Sequence, residues 1–413
     1  MTQKKISVIC APPPSPNPGM LTVDLAFHDL WQESFPQHQV RFWHLLSEAE
    51  RKAGWKPRNI EEKIAREASP VQYECLRRNV DEAFAASAVI YWGDFFHMAH
   101  YREQSARWLV SVDKNLSPAD ALKVVDQCYF LDGAGSGLFA RTLAYGGNLL
   151  FNRASDYLDA GYGPLVQKFL LQTRRVWMRD VFSAGQVNRL RNEWTTSHAG
   201  TDCALLMTGR ALAAIRRNNP APPAGGRAAV FFHRNQGGRG PALKFARALC
   251  RHRKVRPFWL PWRVCRPPGK WQRLVFSELE FPLENHPPTA GDLLDHIAAS
   301  EFVITDTYHI CVNAWRLGVP AICIGETWTR AGLDVSSGHA EAGRDKRWVF
   351  YSTNEALEFY IHAGQLSGSL THMVGRMTRQ LENRALISFI TDGMRARADA
   401  VKIDFLNCLQ SLF

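Results

Sequence analysis

Short apolar runs alternate with helix-length stretches along most of the chain. Residues 5–12, KISVICAP, form the first run, and a proline-rich loop, PPSPNPGM, leads into a helical pattern from about Leu21. ASAVIYWGDFF, 86–96, reads as a helix end, a buried strand and a glycine turn. RRVWMRDVFSAGQVNRL, 174–190, reads as a strand through Val176, Trp177 and Met178, followed by a helix that Ser183 is placed to cap. TDCALLM, 201–207, is a further short apolar run and resembles a strand. Such alternation predicts a parallel sheet with crossover helices.

The same rhythm restarts after RRNNPAPPAGGR, 216–227. Its three prolines and two glycines neither continue a helix nor fit a central strand, so a linker is expected at 218–227. Beyond it come a strand at 228–232, a glycine-rich basic turn, a helix at 242–253, the apolar segment VRPFWLPW, the helix AGDLLDHIAAS and the strand EFVITD. The expected division is a first domain at 1–217, a second at 228–385 and a helical tail at 386–413, whose apolar stripes read as core-facing. The fold class is therefore α/β, with two Rossmann-like domains facing across a cleft, an architecture like that of the glycosyltransferase-B enzymes.

Composition supports this picture and narrows the location. A chain of 413 residues with 46% hydrophobic content exceeds what one core usually organises. Nine cysteines, odd in number and never in CxxC spacing, read as reduced thiols, with no zinc site or disulfide framework. The start, MTQKKISVICAPPP, fits neither a signal peptide nor a membrane span, so a cytoplasmic protein is expected. A net charge of +11 favours anionic partners without choosing among phosphates, nucleic acids and lipid headgroups.

Candidate chemistry concentrates in ITDTYHICVNAWRLGVPAICIG, 304–325. An apolar run ends at Asp306, His309 follows at the start of a helical pattern, and a Gly-Val-Pro turn leads into another apolar run. A histidine at a helix start stands where amide donors and the helix dipole favour an anion, and it can exchange a proton near neutral pH. Ligands of open α/β sheets bind beyond the carboxyl ends of strands, which brings 233–238 and 305–309 into one expected crevice. In the first of these, Arg234 and Arg239 flank a turn containing Gly237 and Gly238, where backbone amides and guanidinium groups can meet a phosphate.

The order of these pieces resembles the polysaccharide pyruvyl transferase family. TDTYHICVNAWRLGVP is similar to that family's Ser-x-Arg-x-His segment with its small-residue helix and Gly-x-Pro turn, matching at Thr305, His309, Ala314, Gly318 and Pro320. SPNPGM, with Asn17, resembles its Asn-x-Gly loop. VIYWGDFF resembles its strand into a glycine turn, AGYGPL its Gly-Ile-Gly-Pro element, VWMRDVFSAGQV its Val-Arg-Asp-x-x-Ser element, and TDCALLM its Asp-x-Ala-Phe-Leu-Leu strand. The resemblance implies transfer of pyruvate from phosphoenolpyruvate to sugar hydroxyls as a ketal, without a cofactor or metal. It implies His309 as the acid, Asp306 and Asp94 as candidate bases, and a donor side built from Thr305, Thr307, Arg234, Gly237, Gly238 and Arg239. Asn17 and Arg179 then fall on the acceptor side, although Arg179 also reads as a partner of Asp180 or of a helix end. The implied acceptor is a surface glycan or its lipid-linked precursor. Thr307 stands where the family has arginine, and threonine cannot make a bidentate, charge-assisted contact to a phosphate or carboxylate.

That departure keeps a second class open, a nucleotide-sugar glycosyltransferase of cell-surface polysaccharide synthesis that places a nucleoside diphosphate in the same crevice. A third class rests on RHRKVRPFWLPWRVCRPPGKWQR, 251–273, whose basic residues alternate with Phe258, Trp259, Trp262 and Trp271. Its composition suits base stacking or a peripheral contact with the inner face of a membrane, but no recognised nucleic-acid motif accompanies it.

Overall fold

The structure is a computed structural model that describes residues 3–11, 18–53, 71–94, 96–208, 210–211, 226–232, 239–262, 279–280, 290–325 and 345–413. The chain divides into two compact units. The first runs through Thr208 and takes in Ala398–Phe413; the second covers Gly209–Arg397.

The first unit is built on a six-stranded parallel sheet. Its strands are β1 (Lys5–Cys10), β2 (Gln39–His44), β3 (Tyr73–Cys75), β4 (Ala88–Trp92), β5 (Thr142–Gly147) and β6 (Arg175–Met178), in the spatial order β3-β2-β1-β4-β5-β6. This is the strand order of a Rossmann sheet. β4 and β5 are buried along their whole length because helices cover both faces of the sheet, which is why their sequences read as continuous apolar runs.

One end of the core is closed by the chain's last helix, Arg384–Gln410, which is continuous across position 386 where a separate tail was expected. Phe405 is completely buried and lies 5.5–6.4 Å, centroid to centroid, from the rings of Phe27, Trp92, Tyr145 and Trp177. Asp404 accepts a 2.8 Å hydrogen bond from the indole of Trp177.

The second unit carries a five-stranded parallel sheet of β7 (Arg227–Phe231), β8 (Arg256–Trp259), β9 (Phe302–Thr305), β10 (Ala321–Gly325) and β11 (Tyr360–His362), ordered β11-β10-β9-β7-β8. Helices Arg239–Arg253, Ala290–Ala298 and Tyr308–Arg316 provide the crossovers. Most of the expected linker, 212–225, lies outside the described residues.

Three local expectations are corrected. TDCALLM is no strand. Cys203–Leu206 form a 3-10 turn, because the Asp202 carboxylate accepts from Ala204 N and turns the backbone immediately. Ser183 does not cap the helix Val181–Arg191. Asp180 does, accepting from Ser183 N at 2.8 Å, while the Ser183 hydroxyl donates to Asp180 Oδ2 and accepts from Leu149 N. Arg179 forms its ion pair with Asp94, while its charge still acts on the Asp180 carboxyl against the effect of burial. The eight described cysteines are free, seven of them buried.

Candidate functional site

In each sheet the chain lays strands to one side of its first strand and then crosses to the other, and loops diverge at that point. In the second unit β7 is flanked by β8 and β9, with Phe231 beside Thr305 in register. The crevice outside such a junction is where ligands of open α/β sheets bind.

The turn after β9 is built tightly. The hydroxyl of Thr305 accepts from Thr307 N at 3.1 Å, and that of Thr307 donates to Asp306 Oδ1 at 3.2 Å. Thr307 occupies the N-cap position of helix Tyr308–Arg316 with extended backbone angles, yet its own side chain makes no capping hydrogen bond. His309 is its second residue, largely buried, with its ring edge-on to Tyr308 at 5.1 Å. The His309 carbonyl accepts from Asn313 Nδ2 at 2.7 Å, tying the first turn to the next. The sequence thus places Thr305, Asp306, Thr307 and His309 on one strand-to-helix turn, and the structure brings all four together.

Beneath this turn sits a group that sequence reasoning passed over. Arg347 Nη1 donates to the Asp306 carbonyl at 2.9 Å, while Nε and Nη2 form a fork on Asp345 at 2.8 and 3.0 Å. Asp345 also caps the helix Lys346–Thr353 and accepts from Tyr360 at 2.7 Å. Burial alone would raise the Asp345 carboxyl; the adjacent Arg347 guanidinium outweighs it and holds the acid below the usual carboxylate range. Lys346 Nζ lies over the Tyr308 ring at 5.0 Å, adding a cation beside the helix start. The available signal was Asp345 before a helical pattern, which marks an N-cap, but nothing local connects it to β9.

Asp94 and Arg179 meet in the first unit. Just past the end of β4 stands Gly93, whose φ of +113° suits only glycine and turns the chain so that Asp94 forms a buried ion pair with Arg179. Asp202 stands 4.0 Å from the same guanidinium nitrogen, and Arg179 N donates to the Gly147 carbonyl at 2.8 Å. Here β1 is flanked by β2 and β4, so the pair marks this sheet's own junction. Asn17, Arg234, Gly237, Gly238 and the side chain of Arg239 lie outside the described residues. Among the described residues, no group of three or more His, Cys, Asp or Glu side chains could hold a metal ion.

No protein-family model and no curated protein matches the chain. Solved structures do match over essentially the whole length. The UDP-GlcNAc 2-epimerase of Neisseria meningitidis bound to UDP-GlcNAc aligns with 98% of this chain and 100% of its own, at 9% identity and a TM-score of 0.54. S. aureus MnaA in its co-structure with UDP aligns with 100% of this chain and 98% of its own, at 10% identity and a TM-score of 0.51. With the two parallel sheets, these likenesses establish a glycosyltransferase-B-like fold of two Rossmann-like α/β domains.

Proposed function

We propose that the protein is an enzyme acting on a nucleoside-diphosphate sugar, a glycosyltransferase of cell-surface polysaccharide synthesis that holds the donor's diphosphate at the start of helix Tyr308–Arg316. One observation carries this reading: a helix start that the Thr307 side chain does not cap, bearing His309, stands beside the sheet junction of the second unit. Amide donors and the helix dipole there favour phosphate oxygens. The proteins of similar fold were solved with UDP and with UDP-GlcNAc, which supports a nucleotide donor for this chain as well.

In the proposed reaction an acceptor hydroxyl bonds to the anomeric carbon as the bond from that carbon to the diphosphate breaks. The hydroxyl proton passes to a base, and the charge developing on the leaving diphosphate meets the helix start and His309.

Pyruvyl transfer uses the same anion position with phosphoenolpyruvate as donor, and the histidine's place on the turn after β9 suits it equally. The arginines weigh against it. Thr307 replaces one, and Arg347 beneath the turn directs Nε, Nη1 and Nη2 onto Asp345 and Asp306, so it does not substitute.

Calorimetric titration and thermal unfolding with UDP, UDP-sugars, other nucleotides and phosphoenolpyruvate distinguish the two. We expect one nucleotide family to stabilise the protein by about 2.7 kcal/mol at a hundredfold excess over Kd, and His309→Ala to weaken that binding about tenfold, the loss of one charge-assisted contact. Stabilisation by phosphoenolpyruvate and by no nucleotide would replace this reading with pyruvyl transfer.

A further inference from the structure

The first unit inverts the usual placement of polar and apolar side chains at one edge of its sheet. Beyond the carboxyl ends of β4, β5 and β6, the charged groups of Asp94, Arg179 and Asp180 are buried, while Phe151, Val181 and Phe182 face solvent. The two exposed segments are tied together. Leu149 N donates to Ser183 Oγ at 2.9 Å and Gln186 Nε2 to the Leu149 carbonyl at 3.3 Å, joining the turn that carries Phe151 to the helix that carries Val181 and Phe182. That helix buries Ser183, Ala184 and Val187 and so turns its first two residues outward. Phe258, Trp259 and Trp262, by contrast, are buried in the second unit, so the basic segment around them offers a ligand none of these rings. No described helix is long and apolar enough to cross a membrane, so Phe151, Val181 and Phe182 do not flank a described span. An exposed apolar patch beside a few fixed polar groups is the composition of a ligand groove.

Asn148 supplies an independent observation. It follows β5 directly, between the turns that carry Asp94 and Arg179 in the strand order β4-β5-β6, and Arg179 N donates to the carbonyl of the preceding Gly147 at 2.8 Å. The residue is 1% exposed. Leu150 N–H can only donate, so the atom it meets at 2.8 Å is Asn148 Oδ1, and the amide nitrogen lies on the other side. That Nδ2 is buried and has no hydrogen-bond partner among the described residues. Buried donors are nearly always satisfied, and one left open at the edge where α/β sheets bind ligands is suited to an acceptor that arrives with the ligand. The charge at this edge is already committed. Arg179 is paired with Asp94, and Asp202 stands 4.0 Å from the same nitrogen.

We propose that this edge binds the glycosyl acceptor as a neutral pyranose, with Phe151 and Phe182 against the apolar face of the ring and Asn148 Nδ2 donating to a ring hydroxyl. A hydroxyl oxygen satisfies the amide donor; an alkyl chain offers it nothing, and an acidic sugar finds the guanidinium already paired. The inference deepens the proposed glycosyl transfer and rests on it for the acceptor's being a sugar.

The test is saturation-transfer NMR of the full chain, with and without UDP, on the methyl glycosides of glucose, galactose, mannose and N-acetylglucosamine, on methyl glucuronide and on octyl glucoside. At least one neutral methyl glycoside is expected to bind, and methyl glucuronide is not. Phe182→Ala, at an exposed position, should keep the melting curve and weaken glycoside binding about tenfold. Asn148→Ala should weaken it about as much through the loss of one hydrogen bond. Leu171→Ala lies at the end of the helix Gly163–Gln172 that leads into β6, at the opposite edge of the sheet, and should bind like the unaltered protein. The proposal fails if no neutral glycoside binds, if either variant folds and binds undiminished, or if methyl glucuronide binds more tightly than every neutral glycoside. Binding of octyl glucoside alone would give the patch to an alkyl chain, and loss of UDP binding in Phe182→Ala would give it to the nucleotide base; either overturns the proposal. Neutral glycosides that bind where UDP does not would leave the saccharide site standing and remove the nucleotide donor, and the converse would remove the saccharide site alone.

Discussion

Arg347 and Asp345 show how single side chains fix the strand-end turn. Arg347 is buried and Asp345 largely so, and the fork between them offsets much of the desolvation cost of both charges. Arg347→Met leaves Asp345 buried without its partner and removes the donor to the Asp306 carbonyl. We expect a loss of about 3–5 kcal/mol in urea unfolding and weaker nucleotide binding, since the turn carrying His309 loses its support from below. His97 is the complementary case, a buried neutral group. Its Nε2 donates to the Tyr129 carbonyl at 2.9 Å, its ring stacks on Phe169 at 4.0 Å, and burial lowers its pKa to about 3. The unfolded chain protonates this histidine near its ordinary pKa of about 6.5, whereas the native protein keeps it neutral. Protons therefore bind preferentially to the unfolded state, and stability falls as pH drops from about 6.5 towards 3, by up to about 1.4 kcal/mol per pH unit. His97→Phe keeps the stacking and should flatten that part of the urea-midpoint profile between pH 7 and pH 4; an unchanged slope would assign the acid sensitivity to other groups.

Elements differ in how plainly they announce themselves. Asp180 caps its helix by accepting from Ser183 N, and Asp180→Ala should cost about 1 kcal/mol, read from the urea midpoint. The same segment shows where sequence reading stops. A cap was legible at 180–183, but Asp and Ser three residues apart exchange hydrogen bonds, and only the backbone angles at Asp180 assign the capping role. β1, β4, β6, β7, β9 and β10 were legible because parallel strands covered on both faces become continuous apolar runs. β2 escaped notice because Arg41 interrupts it, and the acids that pair with it, Glu74 and Glu82, are distant in sequence. β5 ends in two glycines that read as loop. A side chain at Gly146 would collide with Cys203 Sγ, so the glycine is required by a segment 57 positions away. TDCALLM had the composition of a strand, and one side-chain acceptor at Asp202 turned it into a 3-10 turn. For the candidate site, the turn Thr305–His309 was visible because all its parts are consecutive. Arg347 was not, because its contact with Asp306 spans 41 positions.

At the scale of the whole molecule, the chain's end completes its beginning. The helix Arg384–Gln410 starts in the second unit, yet from Ala398 onward it belongs to the first, where Phe405 fills a pocket of four aromatic rings drawn from the first helix, β4, β5 and β6. Those rings are core residues, so the first unit cannot close its sheet until the last sixteen residues are present. Phe405→Ala leaves a cavity among rings too rigid to collapse into it. It should destabilise the first unit by about 3–5 kcal/mol, and deletion of Ala398–Phe413 should abolish that unit's cooperative transition. The second unit keeps its own sheet and core, so its transition should survive both changes. Calorimetry of the two variants, with tryptophan fluorescence following Trp92 and Trp177, separates the transitions. A first-unit transition that persists at its original temperature after the deletion would mean that the aromatic pocket closes without Phe405, and that the final helix is dispensable to the fold.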